Sequence, residues 1–336
     1  MSKTSLLDCT LRDGGYINNW DFGNQTARNI ASKLIDAGVD IIELGFLESS
    51  QNGNLDRTIN PSTDWFEKIF SGLDKKSSEF VVMLDYGSCP AENLASHRAE
   101  SVIDGIRVAF KKNEIDSALS FCEEIKSKNY KVFLQPVSIT DYSEEDLKYL
   151  TEEVNQLNPY EMSIVDTCGL LSKNEIEKLF ITADKFLNEN IILGYHGHNN
   201  IQTAFSNSIN FSELIKSRNT IIDGALYGMG RGAGNTPTEL LIKYFNEKST
   251  GDYQIEPIIE IIDTEISEIK KVYEWGYSLN YFVSSINKCH PNYSKYLKEK
   301  YRLSPTEINR FLQTIEPNKR THFDKNYIDN LLHINA

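Results

Sequence analysis

No run of apolar residues in this 336-residue chain is long enough to span a bilayer, so a helical membrane protein is not expected. No secretory signal pattern opens the chain, which enters a strand-like run almost at once. Paired cysteine motifs are also missing. Cys9, Cys89, Cys122, Cys168 and Cys289 are scattered, odd in number and never at zinc-ligand spacing, so reduced thiols in a cytoplasmic protein are the simplest expectation. Positive charge is in deficit, with 35 Lys and Arg against 48 Asp and Glu and a net charge of −13. That balance argues against nucleic acid or an anionic membrane as the main partner. Low-complexity tracts are absent.

What is present is a packed globule, 40% hydrophobic and 11% aromatic. Apolar, β-branched runs recur at Leu6–Cys9, Val39–Gly45, Phe80–Asp85, Gly105–Ala109, Lys131–Val137, Glu161–Asp166, Ile191–Tyr195 and Thr220–Leu226. Helical-period segments follow most of them: Gln25–Ala37, Trp65–Leu73, Glu114–Lys128, Glu144–Leu157, Lys173–Leu187, Ile201–Ser217 and Pro237–Asn246. The helix between the third and fourth strands is weak. Near-continuously apolar strands alternating with helices imply a parallel sheet covered on both faces. Eight such units predict an α/β fold of the (β/α)8 TIM-barrel type, with an open doubly wound sheet as the alternative. The rhythm stops near residue 250. Residues 1–250 are therefore expected to form the barrel and 251–336 a mostly helical C-terminal domain that opens with an amphipathic helix over Pro257–Tyr273.

In a barrel, reactive side chains gather where strands hand over to loops. The first strand runs into Asp8-Cys9-Thr10-Leu11-Arg12-Asp13-Gly14-Gly15-Tyr16, two acids and a permanent cation ahead of glycines that suggest a sharp turn. Taken alone, Arg12 and Asp13 fit either a metal-and-anion site or a salt bridge at a strand end. The seventh strand ends in Tyr195-His196-Gly197-His198-Asn199-Asn200. Two histidines two apart share one face of a strand. With Asp13 they make half an octahedral shell and leave positions for water and substrate oxygens. Other strand ends supply Glu43, Asp85, Tyr86, Arg107, Gln135, Asp166 and Thr167. Opposite charges inside one barrel can simply neutralise one another, and Glu43, Asp85 and Asp166 are read mainly that way.

Three motifs together carry a resemblance: Asp8-x-Thr10-Leu11-Arg12-Asp13-Gly14, then His196-x-His198, then Gly230-Arg231-Gly232-Ala233-Gly234-Asn235-Thr236-Pro237-Thr238-Glu239. The chain resembles the metal-dependent lyase and condensing-enzyme superfamily that holds 4-hydroxy-2-oxovalerate aldolase, hydroxymethylglutaryl-CoA lyase and isopropylmalate synthase. The glycine-rich segment is closest to the first of these. The resemblance implies Mn²⁺ or Mg²⁺ held by Asp13, His196 and His198, with Asn235 either a further ligand or a helix cap. It implies Arg12 stabilising an enolate, and Arg107, Thr167 and Glu43 facing a 2-oxo acid substrate. Asp8 would orient Arg12 or the metal waters.

The expected activity is aldol cleavage or formation in a 4-hydroxy-2-oxo acid through a metal-stabilised pyruvate-type enolate. Where the aldolases of that branch carry a His base, this chain has Tyr16, and a phenol is a poor base near neutral pH. The base is then an ionised or relaying Tyr16, or Tyr281 or His290 from the C-terminal domain. His290 and Tyr293 also read as domain packing. The alternative on the same scaffold is an acetyl-CoA-dependent Claisen condensation. A metal hydrolase is disfavoured, because its H-x-H belongs on the first strand, and the intact ligand set disfavours a non-catalytic binding protein. A homo-oligomer and the dehydrogenase partner of the aldolase branch stay open.

Overall fold

The computed structural model describes residues 3–214 and 217–334. The predicted helix over Ile201–Ser217 therefore runs partly outside the described residues. Eight parallel strands form a closed ring: β1 (Thr4–Asp8), β2 (Ile41–Leu47), β3 (Glu79–Asp85), β4 (Gly105–Phe110), β5 (Lys131–Pro136), β6 (Glu161–Asp166), β7 (Ile192–Gly197) and β8 (Thr220–Gly224). Closure is direct, since β1 pairs with β8 at Leu6↔Ile222 and with β2 at Leu7↔Ile41. A two-residue strand, Ile59–Asn60, adds to the outer end of β2. The chain is a (β/α)8 barrel.

The outer helices are α1 (Asn24–Asp36), α2 (Thr63–Phe70), α3 (Ile115–Ser127), α4 (Glu144–Leu157), α5 (Lys173–Phe186), α6 (Ala204–Leu214) and α7 (Thr238–Glu247). Sequence signals set several starts. Ser143 and Ser172 each cap a helix and exchange hydrogen bonds with an acid three residues on, Asp146 and Glu175. Between β3 and β4 the connection holds a single 3₁₀ turn at Ala91–Asn93. The weak periodicity there reflects a real gap in the helical ring.

Alternation along the strands builds the lumen in layers. At the N-terminal end, Leu7, Ile41, Val81, Phe133 and Ile221 form an apolar plug. Two residues further along β2, β5 and β8, the same face carries Glu43, Gln135 and Asp223, all buried, with Arg107 of β4 beside them. Above this charged layer the barrel opens into its mouth. The main apolar core lies outside the ring, between strands and helices.

After α7 come α8 (Glu256–Ile261), a π-type turn (Ile262–Ile266) and α9 (Ser267–Val272), close to the span expected for one amphipathic helix. This segment docks on α1, where Thr26 and Asn29 donate to Glu265 at 2.9 and 2.8 Å. Then follow α10 (Leu279–Ile286), α11 (Pro291–Tyr301), α12 (Pro305–Gln313) and α13 (Lys325–Ile334). They close around their own apolar cluster of Val283, Cys289, Tyr293, Leu297, Ile308, Leu312, Ile315 and Ile328. Among the described residues no helix is long and apolar enough to cross a membrane.

Candidate active site

A cavity of about 410 Å³ occupies the barrel mouth. Its floor and walls include Arg12, Asp13, Tyr16, Asp85, Gln135, Thr167, His196, His198 and Arg231 from the barrel. The C-terminal helices cover it with His290, Asn292, Thr321, His322 and Phe323.

Arg12 and Asp13 sit on a helical turn (Thr10–Asp13) just past β1, not on the strand itself. Gly14 is right-handed helical (φ −57°), so no sharp left-handed turn follows. Both glycines answer crowding instead. A Cβ at Gly15 would strike the Trp20 indole, and one at Gly14 would meet the Thr10 carbonyl and the Met229 side chain.

Asp13, His196 and His198 converge, each buried, with one ligand atom apiece all within 4.8 Å of one another. The two imidazoles are 5.1 Å apart and nearly perpendicular. Each is tied back through Nδ1. His196 Nδ1–H donates to Asp223 Oδ2 at 2.9 Å, and His198 Nδ1–H donates to the Gly234 carbonyl at 3.3 Å. Both Nε2 lone pairs are thereby left to the cluster, the arrangement a metal-binding histidine needs. Burial drives His198 down to about 3, so it stays an uncharged ligand. Burial pushes the Asp13 carboxyl up, but the Arg12 guanidinium holds it well below the carboxylate range.

Asn235 lies at the same point. Its Nδ2 donates to Asp13 Oδ1 at 2.9 Å and to the Met229 carbonyl at 3.0 Å, while its Oδ1 is buried with no partner. The helix begins only at Thr238, behind Pro237, so Asn235 is not its cap. The glycine-rich loop lies on Asp13, and the Arg231 amide donates to Asp13 Oδ1 at 3.0 Å. A Cβ on Gly230 would fall on Asn235 Nδ2 and Asp13 Oδ1, which accounts for glycine there. The α7 N-terminal region is filled by the chain's own Glu239, which accepts from the Tyr227 amide at 3.0 Å. It offers no ready pocket for an external phosphate.

The charges of the layer beneath pair with one another, although Glu43 Oε1, Arg107 Nε and Asp223 Oδ1 are buried with no hydrogen-bond partner. Arg12 Nε donates to Glu43 Oε2 at 2.7 Å, and its Nη1 is paired with Asp13. Arg107 reaches Glu43 Oε2 at 3.0 Å, Asp223 Oδ2 at 2.6 Å and Gln135 Oε1 at 3.1 Å. Glu43 and Arg107 are therefore partners of each other and of the site's supports, and neither lines the cavity where the expected substrate contacts would be made. Asp8 is likewise not beside Arg12. It accepts from Thr238 Oγ1 at 2.6 Å and the Thr10 amide at 2.9 Å, pinning the first loop to α7. Asp166 accepts from the Leu170 and Leu171 amides at 2.9 and 3.0 Å and shapes its own loop. Thr167 does face the cavity, its Oγ1 accepting from the Ser138 amide at 2.8 Å.

The base candidates fare differently. Burial raises the Tyr16 phenol to about 12, only partly offset by the Arg231 guanidinium 5.2 Å from the ring centre. Tyr16 is a hydrogen-bond donor at neutral pH. His290 Nδ1 accepts from the Asn292 amide at 3.1 Å at the start of α11, which places the proton of the neutral ring on Nε2. Burial, then Arg231, holds His290 well below its ordinary value. It too presents a hydrogen. Tyr281 is half-buried in α10 and does not line the cavity.

Residues 105–269 match the HMGL-like family model. Oxaloacetate decarboxylase of Mycobacterium tuberculosis is 24% identical over 238 residues, 70% of this chain and 68% of that one. 4-Hydroxy-2-oxovalerate aldolase of Pelotomaculum thermopropionicum is 27% identical over 244 residues, with the same two coverages, 70% and 68%. Among solved structures, the N-terminal domain of a candidate aldolase from Bacteroides vulgatus superposes with a TM-score of 0.76 at 24% identity, over 89% of this chain and 98% of that one.

Two residues of the site went unread in the sequence. Asp223, which holds both His196 and Arg107, shows only as a lone acid in the apolar run Ile221-Ile222-Asp223. Arg231 reads as part of a glycine loop, yet its guanidinium lines the cavity and its buried Nε has no partner.

Proposed function

We propose that this protein is a divalent-metal-dependent carbon–carbon lyase acting on a 4-hydroxy-2-oxo acid, an aldolase that releases a pyruvate-type enolate. The observation that carries the reading is the convergence of Asp13, His196 and His198 with both histidines tied back through Nδ1. Asn235, whose Oδ1 is unpartnered, is the fourth candidate ligand. Carboxylate, amide oxygen and imidazole nitrogen suit Mn²⁺ or Mg²⁺, with the imidazoles favouring Mn²⁺. Bound there, such an ion supplies Lewis acidity to the 2-oxo carboxylate end of the substrate.

The chain's own groups do the rest. Arg12 is fixed by Glu43 and Asp13 at Nε and Nη1, so its guanidinium edge stands preorganised against charge developing on the enolate oxygen. Asp223 orients His196, and Arg107 orients Asp223. The Thr167 hydroxyl and the Tyr16 phenol are donors for the substrate's oxygens. The C-terminal helices close the mouth with His290 and Phe323 and limit the entry of water.

A second reading has its own support. Decarboxylation of a 2-oxo diacid yields the same enolate without removing a hydroxyl proton. Tyr16 and His290 both present hydrogens, which favours chemistry that needs no base from either, and one relative bears the name oxaloacetate decarboxylase. Acetyl-CoA-dependent condensation remains the alternative class, marked by free thiol release.

The test is a panel of 4-hydroxy-2-oxo acids and 2-oxo diacids incubated with the protein, with and without Mn²⁺, reading pyruvate and aldehyde. Metal-dependent release of both from a hydroxy-oxo acid supports the aldolase. Pyruvate from diacids alone replaces it with the decarboxylase, and thiol release with acetyl-CoA replaces both.

A further inference from the structure

Aldol cleavage needs an acceptor for the C4 hydroxyl proton, and the cavity can be searched for one residue by residue. Asp13, His196 and His198 are committed to one another and to the metal position. Tyr16 and His290 present hydrogens. Arg12, Lys111 and Arg231 are cations. Glu114 lines the wall, but its Oε2 accepts from the Lys111 amide at 2.8 Å. His322 lies on the rim with Nε2 3.9 Å from Asp141. Asp85, at the C-terminal end of β3, differs from all of these. Its carboxylate lines the cavity and makes no hydrogen bond or ion pair among the described residues.

We propose that Asp85 is the general base of the lyase reaction. The inference rests on the aldolase reading and adds the proton acceptor that reading lacks. In the cleavage direction Asp85 takes the proton of the C4 hydroxyl. The O–H electron pair becomes the C4=O bond of the aldehyde, and the C3–C4 pair passes to C3 as the enolate. Asp85 then returns the proton when the enolate becomes pyruvate, so protons and electrons balance with no further reactant.

The surroundings suit the task. Asp85 stands exposed at the mouth, and partial desolvation by the surrounding walls raises its carboxyl above its ordinary value, the direction that suits a group that must both accept and give up a proton. The charges facing it come from several loops: Arg231 after β8, Arg12 after β1 and Lys111 after β4 favour the carboxylate, while Glu48 after β2 opposes it. Tyr16 stands beside the same acid, and the Asp85 charge helps keep that phenol protonated. Tyr16 and Asp85 both line the cavity, the phenol keeping its proton and the carboxylate free to accept one.

The deciding experiment compares two reactions of the Mn²⁺-loaded protein: pyruvate release from 4-hydroxy-2-oxopentanoate, which needs the base, and from oxaloacetate, which does not. Asp85→Asn is expected to lower the ratio of the first to the second by about 10²–10⁴-fold, the usual worth of a general base. Asp85→Glu should restore part of it, and the acidic limb of the pH profile for aldol cleavage should vanish in Asp85→Asn. Equal losses in both reactions would show a structural role and overturn the assignment. So would an unchanged ratio. Wild type that decarboxylates but cleaves no hydroxy-oxo acid removes the aldolase reading itself, an outcome distinct from failure of Asp85 within it.

Discussion

The carboxylate of Asp223 accepts the Nδ1 proton of His196 at 2.9 Å, deep in the barrel. That contact fixes the tautomer and the ring plane, and Arg107 Nη2 donates to the same Oδ2 at 2.6 Å. An interaction of this kind typically changes metal affinity by about 10–100-fold. Asp223→Asn is therefore expected to weaken Mn²⁺ binding by about that factor in calorimetric titration while the protein stays folded. Unchanged affinity would mean that His196 is not oriented through Nδ1.

Arg107 pairs with Glu43 and Asp223 and does not line the cavity, so its expected role is structural. Replacing it with Met leaves Asp223 buried without its arginine and Glu43 with Arg12 alone, a change expected to cost about 3–5 kcal/mol. We expect a large drop in the denaturant midpoint of the metal-free protein. A stable Arg107→Met variant with a raised KM for the 2-oxo acid would restore the substrate-contact role.

Eight strand positions were legible in the sequence because each is an apolar run bounded by turn signals, and the two histidines because their spacing puts them on one face. What could not be read was which charges pair. Glu43 is 31 residues from Arg12, and Arg107 is 116 from Asp223, so no local pattern links them. Their meeting depends on barrel closure. The same holds for Asp85, one of three strand-borne acids that look alike in sequence. Asp166 is consumed by its own loop amides and Glu43 by two arginines, while Asp85 is left open to the cavity.

Glu161 makes the protein's stability depend on pH. Its carboxyl is buried beside Ser163 and Gln135, and desolvation, partly offset by Arg107, raises it to about 8. The unfolded chain ionises near the ordinary value of 4.5, so between there and pH 8 the folded state holds the extra proton. Stability from this group is thus present at low pH and lost as pH rises, by up to about 1.4 kcal/mol per pH unit. Denaturant midpoints of wild type and Glu161→Gln, both metal-free, should diverge in the variant's favour from pH 5 to pH 8. A constant difference would contradict the shift.

Gly230 is where the loop backbone comes down on Asp13 and Asn235. Gly230→Ala puts a methyl group against Asp13 Oδ1 and Asn235 Nδ2, so one of them must move. The expected result is loss of Mn²⁺ binding with little change in far-UV circular dichroism. Normal binding in this variant would separate the glycine loop from the metal site.

The most direct test of the whole account is metal stoichiometry. Wild type, Asp13→Ala and His196→Ala are equilibrated with Mn²⁺, desalted and assayed for bound metal. About one ion per wild-type chain and none in either variant is the predicted result. Equal metal in all three, or none in wild type at any Mn²⁺ concentration, would contradict the site on which the proposed chemistry depends.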